Sequence, residues 1–168
     1  MDSTNHLFTV LTQIAAPALL TNASSVLALN TANRFGRVVD RSRAVAAGLR
    51  GIAPDSIDYG LWQRQLDRLK QRGKLLMRAQ TGLYLAIGTF VGTALFAVLG
   101  SMLLERSPGA ATALGVVGIV LGILATGSLL FACVLIARET RLALAGLQDD
   151  VTAFGDPRPA PPPVLETR

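Results

Sequence analysis

Three long stretches of the chain carry no charged residue, and they constrain its fold more than any other feature. They cover residues 7–33, 79–104 and 107–137. Each is longer than the ~20 apolar residues with which an α-helix crosses a bilayer core of about 30 Å. The sequence therefore predicts an all-α integral membrane protein with three transmembrane helices.

The positive charges lie mostly between the first and second stretches, which enclose eleven of the sixteen Lys and Arg residues. Segments rich in Lys and Arg are retained in the cytoplasm. Residues 1–6 include Asp2 but no Lys or Arg, and the connection at Glu105 and Arg106 is short. We therefore expect a multi-pass protein of the cytoplasmic (inner) membrane, with its N-terminus outside and its C-terminus inside.

This placement of charge also predicts the partners. Each Lys or Arg near a membrane surface gains about 1 kcal/mol from anionic lipid headgroups. The net charge of +5 therefore indicates a bilayer with anionic headgroups as the partner, and nucleic acid is not expected to bind.

The first two helices are predicted to continue beyond the membrane. Gly51 and Pro54 are typical of a helix stop, and Trp62, Leu69 and Leu76 recur on one face of the next helix. The extensions would pack as a cytoplasmic antiparallel helical hairpin. The predicted segments are an external N-terminus (1–6), helix one with its extension (7–50), an amphipathic helix entering span two (56–104), helix three (109–150) and a Pro-rich disordered tail (155–168).

The residue inventory argues against an enzyme. The chain has one histidine, His6, and one cysteine, Cys133, which is expected to be a small buried apolar residue. No metal-ligand spacing and no nucleophile–base set can be assembled from these residues. We therefore predict no metal site, no cofactor and no catalytic residue.

The first stretch is more polar than the other two, and this is the main functional clue. At 100° per residue its polar and small residues share a sector about 80° wide. That stripe consists of Gln13, Pro17, Thr21, Ser24, Ala28 and Thr31. Small and hydroxyl residues allow close helix association in lipid, and the same residues in an oligomer would line a wet path. Both interpretations stay open, and both favour a homo-oligomer.

The stripe changes character below the membrane. It continues as Phe35, Val38 and Val39, which would form a gate that closes by dewetting if the helix lined a pore. The opposite face is basic and would contact lipid headgroups or anions. Asp40 is expected to form local ion pairs with Arg37, Arg41 or Arg43.

The later spans carry the small-residue pairs Gly88–Gly92 and Gly118–Gly122, together with Gly115 and Ala125. Such spacing is typical of tightly packed membrane helices.

Two motifs resemble a known family. The chain reads Ala16–Pro17 and then Asn-Arg-Phe-Gly-Arg-Val-Val-Asp-Arg-Ser-Arg over residues 33–43. These motifs, followed by two apolar spans, resemble the bacterial membrane family called domain of unknown function 2721, over about residues 7–145. The resemblance implies that a signature is formed by Asn33, Arg34, Arg37, Asp40, Arg41 and Arg43.

The functional prediction is a homo-oligomeric small ion channel whose first helix lines the pore. The alternative is a non-conducting membrane scaffold or regulator that binds a partner through its basic hairpin.

Overall fold

A computed structural model describes residues 2–54 and 56–155, with side chains described for residues 12, 14–54, 56 and 58–146. The chain forms three long helices: α1 (Asp2–Leu49), α2 (Ile57–Leu103) and α3 (Pro108–Gly155). The prediction of an all-α fold is confirmed. The Pro-rich tail beyond Gly155 lies outside the described residues.

Two of the helices are long and apolar enough to cross a membrane. The qualifying segments are Asp58–Leu103 in α2 and Pro108–Gly146 in α3. The described part of α1 does not meet the same criterion.

Local sequence explains where the helices begin. Ser56 caps α2: its hydroxyl accepts a hydrogen bond from the Tyr59 amide at 3.2 Å, and Asp58 places a negative charge in the first turn. Pro108 opens α3, at a position where its missing N–H costs nothing. Among the described residues, Gly51 follows the end of α1, and its amide donates to the Gly48 carbonyl at 3.1 Å.

The predicted apolar stripe of α2 packs on α1. Val38, Val45, Leu69 and Leu76 are buried in one cluster, which also contacts Phe35, Trp62 and Leu66. Gly73 faces Val38, whereas Gly48 faces Trp62, so residue numbers rise along α1 as they fall along α2. The two helices therefore run in opposite directions.

Close glycine contacts join α2 and α3. A Cβ at Gly82 would lie 3.3 Å from the Ala132 Cβ, and one at Gly118 would lie 3.7 Å from the Phe96 Cβ. Gly92 and Gly122 also face the neighbouring helix, whereas Gly88 has no neighbour within 4 Å. Gly115 likewise has no neighbour within 4 Å, so the small-residue prediction is correct for three of its five glycines.

Direct contact between α1 and α3 is sparse. Ala28 of α1 and Ala132 of α3 belong to one buried cluster with Leu83 of α2. Arg34 of α1 reaches Glu139 of α3, so residue numbers rise together along α1 and α3 and the two helices run in the same direction. Helix α2 lies between them and carries most of the packing.

Candidate functional site

Glu139 is a buried acid at the meeting point of the three helices. Its side chain is 1% exposed, and a buried carboxylate is costly unless it is paired. Arg72 of α2 places Nε 2.9 Å and Nη2 2.8 Å from Oε1. Arg34 of α1 places Nη2 3.0 Å from Oε2. We call Arg34, Arg72 and Glu139 the charge cluster.

The two arginines hold the acid differently. Arg72 donates an aligned hydrogen bond to Oε1, whereas Oε2 accepts no aligned hydrogen bond from any described residue. Arg34 therefore interacts with Oε2 through charge attraction alone, because the angle is too poor for a hydrogen bond. Arg34 Nη2 instead donates to the Thr140 hydroxyl at 3.1 Å, and that hydroxyl donates to the Ile136 carbonyl at 3.0 Å.

Sequence reasoning missed two members of the charge cluster. Arg34 belongs to the predicted signature, but Arg72 and Glu139 were not singled out. A signal was present, because Glu139 follows the buried Ala125 and Ala132 at intervals of seven residues and so shares their helix face. Arg72 similarly lies between the buried Leu69 and Leu76.

Three residues of the predicted pore-lining stripe are buried within the protomer. Ser24, Ala28 and Thr31 are 0%, 4% and 2% exposed, and the Thr31 hydroxyl donates to the Leu27 carbonyl at 2.8 Å. Pro17 and Thr21 are half-buried, and the side chain of Gln13 lies outside the described residues. Ser24, Ala28 and Thr31 contact the other helices of their own chain, so they do not face a path between copies. This placement favours the helix-association interpretation.

The predicted gate also serves packing. Val38 is 6% exposed within the cluster between α1 and α2. Phe35 packs against the same cluster, and its ring faces Gly73. Val39 is half-buried. The apolar stripe below the polar one is therefore the surface with which α1 binds α2.

A cleft separates α1 from α3 on the N-terminal side of these contacts. Its volume is about 610 Å³, with Pro17 and Leu20 on one wall, Ile119 and Ile123 on the other, and Phe90 of α2 between them. The hydroxyls of Thr93 and Thr126 also line it, but each donates to a carbonyl of its own helix. The cleft is therefore apolar.

The described residues contain no group of three or more His, Cys, Asp or Glu residues placed to hold a metal ion. Cys133 is exposed, so the expectation of a buried cysteine is wrong. Its side chain points away from the helix face that carries Ala132 and Leu135.

Comparison with known proteins identifies the family. The family model described as protein of unknown function (DUF2721) matches residues 14–148. The chain belongs to this family. No curated protein and no solved structure matches it.

The structure divides the DUF2721 signature residues between two environments. Arg34 belongs to the charge cluster, whereas the others are exposed: Asn33, Arg37, Asp40, Arg41 and Arg43. Within the part of the chain whose side chains are described, Asp40 has no basic group within 4 Å. The expected local ion pairs are therefore absent from this conformation.

The exposed side of α1 forms a stripe opposite the buried one. We call it the outward face, and it consists of Asn22, Val26, Asn30, Asn33, Arg37 and Arg41. All six are exposed, and they share a sector about 100° wide. Ala28 packs beside Leu83, so the antiparallel register places Asn22 near residue 89, inside the uncharged stretch 79–104. Asn22 makes no side-chain hydrogen bond to any described residue of its own chain.

Proposed function

We propose that this DUF2721 protein is a homo-oligomeric channel of the inner membrane in which several copies of α1 surround an ion path. In this proposal α1 is the third transmembrane helix, and the ends of α1 and α2 form the cytoplasmic hairpin. The proposal retains the first helix as the lining element but turns its outward face towards the path. Ser24, Ala28 and Thr31 support α1 from behind.

The exposed amide of Asn22 is the observation that carries the proposal. Moving an unpaired amide from water into hydrocarbon costs about 4–8 kcal/mol. A lone protomer would expose this amide to lipid at the level of the apolar stretch of α2. A second copy, or water held in a shared path, would supply the missing hydrogen bonds.

The order of residues on the outward face fits a path for ions. Amide groups at Asn22 and Asn33 supply donors and acceptors that replace water. Val26, 63% exposed between them, would form an apolar ring that closes by dewetting. Arg37 and Arg41 follow at the inner end, and rings of arginine favour anions.

A reconstituted flux assay tests the channel. Purified protein in liposomes should pass chloride, and Val26→Ser should raise the flux several-fold because it hydrates the constriction. Val134→Ser is the matched control, since Val134 is similarly exposed but lies on α3. Its flux should equal that of the unmodified protein. Absence of flux at every voltage, pH and membrane tension would contradict the channel.

The second candidate is a non-conducting scaffold or regulator. It is favoured by the exposed basic residues of the segment between the two apolar stretches, among them Arg64, Lys74 and Arg78. They would bind anionic headgroups or an acidic partner protein. Cross-linking in cells through this segment should then capture a different protein. Capture of other copies of this protein alone would contradict the scaffold function.

A further inference from the structure

We infer that Arg34 is a releasable latch that holds α1 against α3, while Arg72 clamps α2 to α3 permanently. The inference concerns movement within one protomer and holds whether or not the protein conducts ions. It rests on the asymmetry of the charge cluster and on the space beside α1.

The asymmetry lies in how the two arginines contact Glu139. Arg72 contacts Oε1 through two nitrogens, one of them in an aligned hydrogen bond. Arg34 contacts Oε2 without such a bond, and its aligned hydrogen bond goes to the neutral Thr140 hydroxyl. Hydrogen bonds to a charged acceptor are roughly twice as strong as those between neutral groups. When Arg34 leaves, Arg72 still neutralises the acid, so release leaves no unpaired buried carboxylate.

The position of Arg34 determines which part of α1 its release would free from α3. Beyond the small cluster around Ala28 and Ala132, α1 is bound to α3 through Arg34. Towards the N-terminus the apolar cleft separates the two helices. Pro17 lines that cleft and lies inside α1, where its missing N–H removes a hydrogen bond from the helix. We place the movement in the segment between Pro17 and Arg34, which would shift across α2 towards the cleft once only the small cluster around Ala28 and Ala132 still holds it to α3.

The movement would change what the outward face presents. Asn22 and Val26 belong to the moving segment, whereas Arg37 and Arg41 follow the latch and stay with the α1–α2 core. Opening the latch would thus rotate the exposed amide relative to the basic residues. While the latch is closed, all residues of the outward face lie on the same side of α1.

Spin-label distances test the latch directly. With Cys133→Ala as background, one label pair spans the cleft from Leu19→Cys to Val120→Cys. A second pair joins α2 and α3, from Val91→Cys to Val120→Cys. All three sites are exposed. Labelled protein is diluted with unlabelled protein so that only distances within one protomer are read by double electron–electron resonance.

Arg34→Gln should add a second, shorter distance to the pair across the cleft and leave the α2–α3 pair unchanged. Thr140→Val, which removes only the hydrogen bond of Arg34, should add the same component at a smaller population. Arg37→Gln is the matched control, because it removes an exposed arginine one turn away and should change neither pair. The latch is overturned if Arg34→Gln changes neither pair, or if it changes both.

Discussion

Arg72 and Glu139 join α2 to α3 through a single carboxylate oxygen. Nε and Nη2 of Arg72 lie 2.9 Å and 2.8 Å from Oε1, which leaves Oε2 to the first helix. One acid therefore serves two helices, and its burial is tolerated because two positive charges surround it. The three helices meet at this carboxylate even though α1 and α3 share little packing.

Removal of the acid should be the most damaging single change in the charge cluster. Glu139→Ala leaves two guanidinium groups facing each other without their counter-charge. Such a loss costs about 3–5 kcal/mol in a fully buried pair. We expect the lower end here, because the side chains of Arg34 and Arg72 are 27% and 28% exposed. Unfolding by SDS in mixed micelles measures the difference.

Two control variants distinguish the destabilisation caused by loss of the ion pairs from that caused by loss of side-chain volume. Replacing the whole cluster with Arg34→Met, Arg72→Met and Glu139→Leu should recover most of the stability, since apolar groups of similar size remove the charges altogether. Asp67→Asn breaks an exposed pair with Lys70 at 3.4 Å and should cost less than about 1 kcal/mol. If the triple variant is no more stable than Glu139→Ala, charge pairing is not the cause.

The amphipathic pattern of α2 was sufficient to predict its packing face, because Leu69 and Leu76 recur at helical spacing and are buried as expected. The sequence also predicts the polar stripe of α1, but it does not show which helix covers that stripe. Ser24 and Thr31 are compatible with a wet path and equally with a helix contact, so only the position of α2 decides between them. Glu139 was overlooked because its partners lie 67 and 105 positions away in sequence.

Gly48 should be intolerant of a side chain. A Cβ there would lie 2.9 Å from Cη2 of Trp62, closer than real contacts allow, and 3.2 Å from Cε3, which is tighter than most. Gly48→Ala should therefore lower the free energy of unfolding by about 1–3 kcal/mol. Gly36 is the matched control, with nothing within 4 Å, and Gly36→Ala should stabilise the helix by about 0.5–1 kcal/mol. Chemical denaturation measures the free energy of unfolding of both variants. A higher value for Gly48→Ala than for the unmodified protein would contradict the close contact between Gly48 and Trp62.

Gly82 and Gly88 test the contact between α2 and α3. A Cβ at Gly82 would already touch the Ala132 Cβ at 3.3 Å and the Ser128 backbone oxygen at 3.4 Å, which leaves little space for the further atoms of a leucine side chain. Gly82→Leu should therefore cost at least about 1–3 kcal/mol through overpacking. Gly88→Leu adds the same side chain on the same helix where no atom lies within 4 Å, and its melting temperature should stay close to that of the unmodified protein. Equal losses in the two variants would show that the helices do not meet at this face.

The outward face of α1 should be the contact between copies. In a Cys133→Ala background, Asn22→Cys and Asn33→Cys should form disulfide-linked dimers when membranes are oxidised, because identical faces around a symmetry axis bring equivalent residues together. Leu124→Cys is the matched control: it is 55% exposed but lies on α3, away from the proposed axis. It should stay monomeric on a non-reducing gel. If Leu124→Cys links as readily as Asn22→Cys, the copies meet through α3, and Asn22 must find its hydrogen bonds elsewhere.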